Sequence, residues 1–193
     1  MTPTQLHTGR LVLTPEDPYL VPEDPRGLIQ RLREIGFAGD RLGEGARAFM
    51  VGDQFMRLVI FMGCSPAIQS SPNDSGEAFC HLVQSGPHPR PQFLSGRNTT
   101  APRCEACRKR LPQWQDIMRE WELDPPDFLA TCPHCDHGQN PVSYNWRESA
   151  GCGRYMLFAE NIFPQEAVPS SKLMNALQST TGERPWHYFY IQD

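Results

Sequence analysis

Four cysteines arranged in two C-x-x-C pairs constrain this 193-residue chain more than any other feature of its sequence. The pairs are Cys104 with Cys107 and Cys132 with Cys135. Two residues between the cysteines let a tight turn direct both sulfurs at one point, and two such turns supply a tetrahedral thiolate shell. We therefore predict that these four cysteines bind one zinc ion. Four protein ligands leave no open coordination position, which is typical of a structural site and not of a catalytic one.

The second pair lies in a longer motif, Cys132-Pro133-His134-Cys135-Asp136-His137-Gly138. This motif resembles the C-P-x-C-x-x-G knuckle of zinc ribbons, and the resemblance covers about residues 102 to 160. It implies a four-cysteine, zinc-ribbon-like module in which a hairpin follows the second pair. The chain departs from the pattern because 24 residues separate the pairs, whereas about 15–20 are usual. An amphipathic helix is predicted in this insertion from the spacing of Leu111, Trp114, Ile117, Met118 and Trp121.

Other interpretations of the cysteines are open from the sequence alone. Iron bound by the same four thiolates, a redox-active pair and two unrelated pairs of buried cysteines are the alternatives. His134 and His137 could replace a cysteine as ligand, but with four cysteines present we expect them to be exposed or to lie beside the ligands. Cys64, or Cys80 with its neighbour His81, is a weaker candidate for a catalytic nucleophile, because adjacent residues of a strand point to opposite faces.

Composition narrows the class of protein and the compartment. Hydrophobic residues make up 39% and charged residues 21% of the chain, which favours a globular protein. The longest apolar run, Leu58–Met62, is far shorter than the roughly 18 residues that span a bilayer. Met1–Gln5 lacks the basic and apolar regions of a signal peptide, and the total of seven cysteines is odd. We therefore expect a cytoplasmic protein with reduced thiols.

A basic run interrupts a chain whose formal net charge is −4. The segment Arg97–Arg110 carries five cations against one acid, Glu105. The cations can meet phosphates beside a zinc knuckle, or they can simply offset the charge of the thiolates. The candidate contacts for nucleic acid or another partner are Arg103, Arg108, Lys109 and Arg110.

Sequence patterns predict few helices and mostly paired strands. Asp24-Pro25 is typical of a helix start and Gly36 of a helix end, and a second helix is predicted between Ser170 and Gly182. Strands are predicted, in chain order, at 9–14, 48–51, 55–61, 78–83, 142–146, 155–159 and 186–191. Hairpins are expected over 48–61 and 142–159, and the last strand is expected at the centre of the sheet. This order favours an α+β fold with a mostly antiparallel sheet, two or three short helices and an inserted four-cysteine zinc-ribbon-like module.

The proline-rich segment 85–102 is predicted to be a loop or linker. On this basis residues 1–96 and 154–193 are assigned to an α+β sheet domain, and residues 97–153 to a zinc-binding insertion. Because no catalytic set of residues is recognisable, the leading hypothesis is a non-enzymatic adaptor that binds another protein. The alternatives are a nucleic-acid-associated factor that uses Arg97–Arg110, and an enzyme whose site lies in the sheet domain.

Overall fold

The computed structural model describes residues 9–61, 68–74, 76, 78–123, 128–162 and 167–192. Those residues form four helices: α1 (Pro25–Glu34), α2 (Phe55–Leu58), α3 (Trp114–Leu123) and α4 (Ser171–Ser179). The strands are β1 (Gly9–Pro15), β2 (Ala38–Arg41), β3 (Ala48–Val51), β4 (Val59–Phe61), β5 (His81–Ser85), β6 (Gln92–Ser95), β7 (Ala130–Thr131), β8 (Gly138–Gln139), β9 (Ala150–Gly153), β10 (Met156–Glu160), β11 (Ala167–Pro169) and β12 (Trp186–Gln192). All strand pairs among them are antiparallel, so the predicted α+β class is confirmed.

The two helices that flank the sheet begin where the sequence predicts. The Asp24 carboxylate accepts hydrogen bonds from the N–H groups of Arg26 and Gly27 at 3.1 and 2.9 Å, and Gly36 follows α1 with a φ of 74°. The Ser170 hydroxyl accepts from the N–H of Leu173 at 3.3 Å at the start of α4. These side chains satisfy amide groups that have no partner inside the helix, which fixes both starts.

A six-stranded sheet with the strand order β12-β1-β10-β5-β3-β2 forms the centre of the molecule. Leu11, Val12 and Leu13 of β1 are all 0% exposed. Consecutive buried residues in a strand require cover on both faces of the sheet. Leu11 and Leu13 pack in one hydrophobic cluster with α1 and α4, while Val12 packs on the opposite face in a cluster that includes Leu94 of β6.

The hairpin predicted over 48–61 is wrong in its second half. β3 pairs with β2 and β5, whereas β4 pairs with β11 in a separate two-stranded sheet. Residues 55–58 form the single-turn helix α2, because Phe55 and Leu58, three positions apart, are both buried on one side of the turn. An apolar run of this length does not distinguish a buried strand from a buried helical turn.

The strand predicted at 142–146 is also wrong. The Asn140 side chain accepts the N–H of Val142 at 3.1 Å and, with Pro141, begins a 3₁₀ turn over Pro141–Ser143. The strand after this turn is β9, which pairs with β6 inside the segment predicted to be a loop. β10 then pairs with β1 and β5 in the central sheet.

The paired cysteines and the predicted inserted helix share a second hydrophobic cluster. The indole of Trp146 lies at the centre of its aromatic part, with ring centroids 5.0 Å from Phe93, 5.4 Å from Trp114 and 5.9 Å from Tyr144. The buried members of this cluster are Cys104, Leu111, Ile117, Met118, Trp121, Ala130, Cys132, Tyr144, Trp146, Ala150 and Cys152. The helix predicted between the cysteine pairs is therefore present as α3, with its apolar side buried.

The last strand was expected at the centre of the sheet, and this prediction is wrong. β12 lies at the edge of the central sheet. Trp186, Phe189 and Tyr190 are buried because α4 contacts this strand and because β9 packs closely against it. A Cβ on Gly151 of β9 would meet the Phe189 ring at 2.5 Å. The outer edge of its last residues bonds to two loops. The Tyr190 N–H donates to the Glu148 carbonyl, before β9, and the Gln192 N–H donates to the Asn98 side chain, after β6, both at 2.9 Å.

Candidate metal centre

Two turns with the same hydrogen bonds carry the four cysteines. We call residues 103–110 the first knuckle and residues 131–138 the second knuckle. In each, the N–H of the first cysteine donates to the carbonyl five positions later, and the N–H four positions later donates back to the carbonyl of that cysteine, at 2.9–3.0 Å. Antiparallel pairing between Arg103 and Arg110, and between Thr131 and Gly138, closes the two turns. Each knuckle therefore holds its pair of sulfurs on one side of a rigid turn.

The four sulfurs converge on one point. The Sγ atoms of Cys104 and Cys135 are 3.7 Å apart, those of Cys107 and Cys132 are 3.8 Å apart, and all four lie within 4.8 Å of one another. A tetrahedron with metal–sulfur bonds of about 2.3 Å has edges of about 3.8 Å. The same distances are far longer than the roughly 2.05 Å of a disulfide. The cluster can therefore hold a metal ion, and its four ligands would fill a tetrahedral shell.

The sulfurs differ in how readily they lose a proton. The pKa of Cys104 is lowered to about 6 by hydrogen bonds from the backbone N–H groups of Cys107 and Ala106 and from the neighbouring sulfurs. Desolvation of the Cys104 thiolate opposes this shift. At Cys135 the backbone N–H of His137 also lowers the pKa. Desolvation and the three neighbouring sulfurs outweigh this effect and raise the pKa of Cys135 to about 12. The first thiolate therefore forms easily, whereas four thiolates at this separation require a cation among them.

Side chains around the cluster connect the two knuckles without joining the ligand set. His137 of the second knuckle lies 2.8 Å from the Glu105 carboxylate of the first; the Glu105 side chain is exposed and that of His137 is partly exposed. His134 is exposed, and its backbone N–H donates to the sulfur of Cys132 at 3.4 Å. Burial and the charge of the nearby sulfurs raise the pKa of Tyr144 to about 12, so its hydroxyl stays protonated. Neither histidine belongs to the convergent group, which agrees with the expected exposed or neighbouring positions.

Of the cysteines outside the cluster, the structure describes Cys80 and Cys152, and neither has the features of a nucleophile. Cys80 is buried, and burial together with Glu160 raises its pKa to about 12. Burial likewise raises the pKa of Cys152, well above that of an exposed thiol. His81 bonds to the Phe79 carbonyl through Nδ1 at 3.0 Å. Cys64 lies outside the described residues. A reactive cysteine needs a lowered pKa and access to solvent, and neither Cys80 nor Cys152 has them.

The basic run is exposed, but the structure divides it into two parts. Arg97, Arg103, Arg108, Lys109 and Arg110 all have exposed side chains. Arg103 and Arg108 line a cleft of about 210 Å³ beside the first knuckle, which Lys109 and Arg110 do not line. Arg147, from the loop after the second knuckle, lines the same cleft. Sequence reasoning missed Arg147 because it lies 37 positions after Arg110 and belongs to no basic run.

A second, larger cleft of about 640 Å³ lies between that loop and β12. Aromatic residues from both sides line it: Tyr144, Trp146, Trp186, His187, Tyr188 and Phe189. Glu16 also lines this cleft, so it brings a histidine and a carboxylate together, as the enzymatic alternative requires. Burial lowers the pKa of His187, with Glu16 opposing the shift, so His187 is neutral near pH 7. The thiol in the cleft, Cys152, is not activated.

No family model, no curated protein and no solved structure matches the chain. Within the described ranges, no helix is both long enough and apolar enough to cross a membrane. The fold and the site together define an α+β protein with a four-cysteine cluster that can hold a metal ion. What the protein does has to be inferred from that cluster and from the two clefts beside it.

Proposed function

We propose that the four cysteines hold one zinc ion whose role is structural. Four sulfurs within 4.8 Å of one another suit zinc or iron, and zinc is the default for such a set in a reducing compartment such as the cytosol. The ion would link Cys104 and Cys132, which are both buried in the second hydrophobic cluster. It would therefore join the two knuckles at the point where they meet α3. With four protein ligands it would have no position for a substrate.

We infer that the protein uses this rigid frame to bind another protein, and that the larger cleft is the binding site. The observation that carries the proposal is an open strand edge inside the cleft. Tyr190 directs its backbone N–H and C=O away from β1, to Glu148 and to the Asn98 side chain. Hydrogen bonding in an antiparallel strand alternates with a period of two residues, so Tyr188 directs its N–H and C=O to the same outer side.

The edge at Tyr188 has no partner among the residues that the structure describes. The two loops that bond to the outer edge of β12 do so at Tyr190 and Gln192, and the larger cleft lies beside residues 186–189. An extended peptide can add to such an edge as a further strand, with its side chains held by the walls of the groove. The aromatic walls suit apolar side chains, since aromatic residues supply much of the contact area in protein interfaces.

The proposed peptide site can be tested with a display library of random ten-residue peptides and the zinc-loaded full chain. Selected peptides should protect the Tyr188 amide from hydrogen exchange. Proline at an outward-facing edge position leaves the ladder to β1 intact but removes the donor. Tyr188→Pro should therefore weaken binding about tenfold, the effect of roughly 1.4 kcal/mol from lost backbone hydrogen bonds.

Tyr188→Ala is the matched control, because it removes the ring but keeps the N–H group. Binding to this variant should exceed binding to Tyr188→Pro. Equal affinity of the two variants would show that the peptide contacts only the ring. If no peptide in the library is enriched on wild-type protein relative to Tyr188→Pro, the proposed peptide site is excluded.

A nucleic-acid-associated role is the second candidate, and one observation favours it. No ion pair within the described part of the chain involves Arg97, Lys109 or Arg110, and all three side chains are exposed. Phosphate contacts of this kind give binding that weakens steeply with salt. Replacement of Arg108, Lys109 and Arg110 by alanine should abolish binding to single-stranded oligonucleotides in a gel-shift assay at low salt. If the wild-type protein produces no shift at low salt, this role is excluded.

A further inference from the structure

Three arginines from two distant segments converge on the smaller cleft beside the first knuckle. Arg103 and Arg108 come from the knuckle itself, and Arg147 comes from the loop that also borders the larger cleft. The cleft holds about 210 Å³. Its polar wall is completed by an amide, a hydroxyl and a second amide, from Gln139, Ser143 and Asn145. The amides of Gln139 and Asn145 can donate hydrogen bonds to an anion, whereas the Ser143 hydroxyl already donates to the Asn140 carbonyl at 2.8 Å.

The cleft carries an excess of positive charge. Glu105 is the one acidic residue that lines it, and its carboxylate already lies 2.8 Å from His137. No ion pair in the described ranges involves Arg103, Arg108 or Arg147. Three guanidinium groups outnumber the one carboxylate and the thiolate of Cys104, which also lines the cleft. The remaining positive charge on the walls suits an anion.

The fold of the knuckle does not require these arginines, because the second knuckle provides an internal comparison. It makes the same turn with Thr131 at the position of Arg103 and Asp136 at the position of Arg108. Arg108 and Asp136 have φ angles of 61° and 56°. Aspartate is enriched in this left-handed region and arginine is not. The turn would therefore form more easily with another residue in place of Arg108.

Arg147 shows the same feature outside the knuckles, with a φ of 50°. The Asn145 side chain holds this turn by accepting the Arg147 N–H at 3.0 Å, and the buried Trp146 anchors it. On the opposite wall, Arg103 Nη1 donates to the Arg108 carbonyl at 2.9 Å, which fixes one side of the Arg103 guanidinium. Two of the three arginines thus lie at strained backbone positions on one cleft, and the third is oriented by a hydrogen bond.

We propose that this cleft binds a phosphate group, held by Arg103, Arg108 and Arg147. The planar fork of a guanidinium group matches two oxygens of a phosphate, and three forks around one small cleft suit a terminal phosphate monoester. The group can belong to a small phosphate ester or to a phosphorylated side chain of a partner protein. The second source is favoured by position, since Ser143, Asn145 and Arg147 line both clefts. The site does not depend on the peptide proposal, because it has its own ligand and its own residues.

The test is a titration of zinc-loaded, ¹⁵N-labelled full-length protein at low ionic strength. The probes are inorganic phosphate, phosphoserine and serine, with sodium chloride as the ionic-strength control. Phosphate and phosphoserine should shift the amide signals of Arg108, Arg147 and their neighbours, whereas serine should not. Equal affinity for the two phosphates indicates a site for any phosphate monoester, and tighter binding of phosphoserine indicates a phosphorylated side chain. The proposal would be overturned if the amide signals show no saturable shift up to about 10 mM phosphate. A Kd of about 10 mM corresponds to a binding free energy of only about −2.7 kcal/mol.

Arg147→Ala and Arg110→Ala are the matched pair of variants. Both remove an exposed arginine, but only Arg147 lines the cleft. Arg147→Ala should weaken phosphate binding at least about tenfold, the usual effect of losing a charge-assisted hydrogen bond. Arg110→Ala should change it less than about twofold, as expected for a screened surface charge. Equal losses of phosphate affinity in the two variants would contradict a specific phosphate site. An oligonucleotide that binds more tightly than phosphoserine, and whose binding is lost with Arg110→Ala, would indicate a general nucleic-acid surface instead.

Discussion

Replacement of Cys132 by serine should release the metal ion and disorder the second hydrophobic cluster. Wild-type protein should contain about one zinc per chain by mass spectrometry of the native protein, and the variant should contain none. Structural zinc contributes apparent binding free energies of about 10–16 kcal/mol in zinc-finger peptides, so its loss removes much of the stability of the region it organises. Amide exchange should accelerate over residues 103–150 far more than in β1 and β10.

Fluorescence offers an independent measurement of the same loss. Of the four tryptophans in the chain, Trp114, Trp121 and Trp146 belong to the second cluster or pack against it, whereas Trp186 lies in the first. Release of the ion should therefore shift most of the emission to longer wavelength. A chelator added to wild-type protein should produce the same shift, and added zinc should reverse it. Visible absorption in the purified protein, with iron in place of zinc in the metal analysis, would correct the identity of the ion.

Cys80→Ser is the control for the substitution itself. Cys80 is buried like Cys132 but lies in the first cluster, away from the knuckles. Its replacement should lower stability slightly through the buried hydroxyl and leave one zinc per chain. If Cys132→Ser keeps its metal, or if metal-free protein retains slow exchange in the knuckles, the cluster is not a metal-dependent structural centre.

Local rules predicted those parts of the structure that local contacts decide. The start of α1 at Asp24 follows from one side chain and two amide groups, and the knuckles follow from the spacing within each cysteine pair. The α3 helix follows from the apolar spacing between Trp114 and Trp121. Each of these features is determined within about ten consecutive residues, so a single sequence contains the information needed to predict it.

The failures involve residues whose conformation depends on distant partners. Tyr144 and Trp146 alternate as in a strand, but their rings enter a cluster with Phe93 and Trp114, about fifty and thirty positions earlier. β12 has the composition of a central strand because α4 and β9 cover its faces, yet it lies at the edge. Arg147 is distant in sequence from the first knuckle, and only the folded chain brings it to the cleft that Arg103 and Arg108 line. Tertiary packing overrides local pattern at each of these positions.

Among the residues of the second cluster that are not cysteines, replacement of Trp121 by alanine should be the most damaging single change. Trp121 is 1% exposed and is the largest fully buried side chain of α3. Its indole N–H has no partner in the described part of the structure, so the loss is one of packing and not of a hydrogen bond. Truncation of a buried tryptophan to alanine lowers the free energy of unfolding by about 3–5 kcal/mol. That is a large part of the roughly 5–15 kcal/mol by which a domain of this kind is stable, so urea denaturation should show it clearly.

The same variant tests whether residues 97–153 behave as a separate zinc-binding unit, which we propose. Leu32→Ala removes a buried side chain of α1 from the first cluster and should lower stability by about 2–5 kcal/mol. If the two clusters open separately, Trp121→Ala should speed the transfer of zinc to a competing chelator under native conditions, because the knuckles rest on α3. Leu32→Ala should leave that rate unchanged, since opening of the first cluster does not expose the sulfurs. Equal acceleration by both variants would show that the chain unfolds as one cooperative unit, and the zinc-binding residues would then be part of the sheet domain.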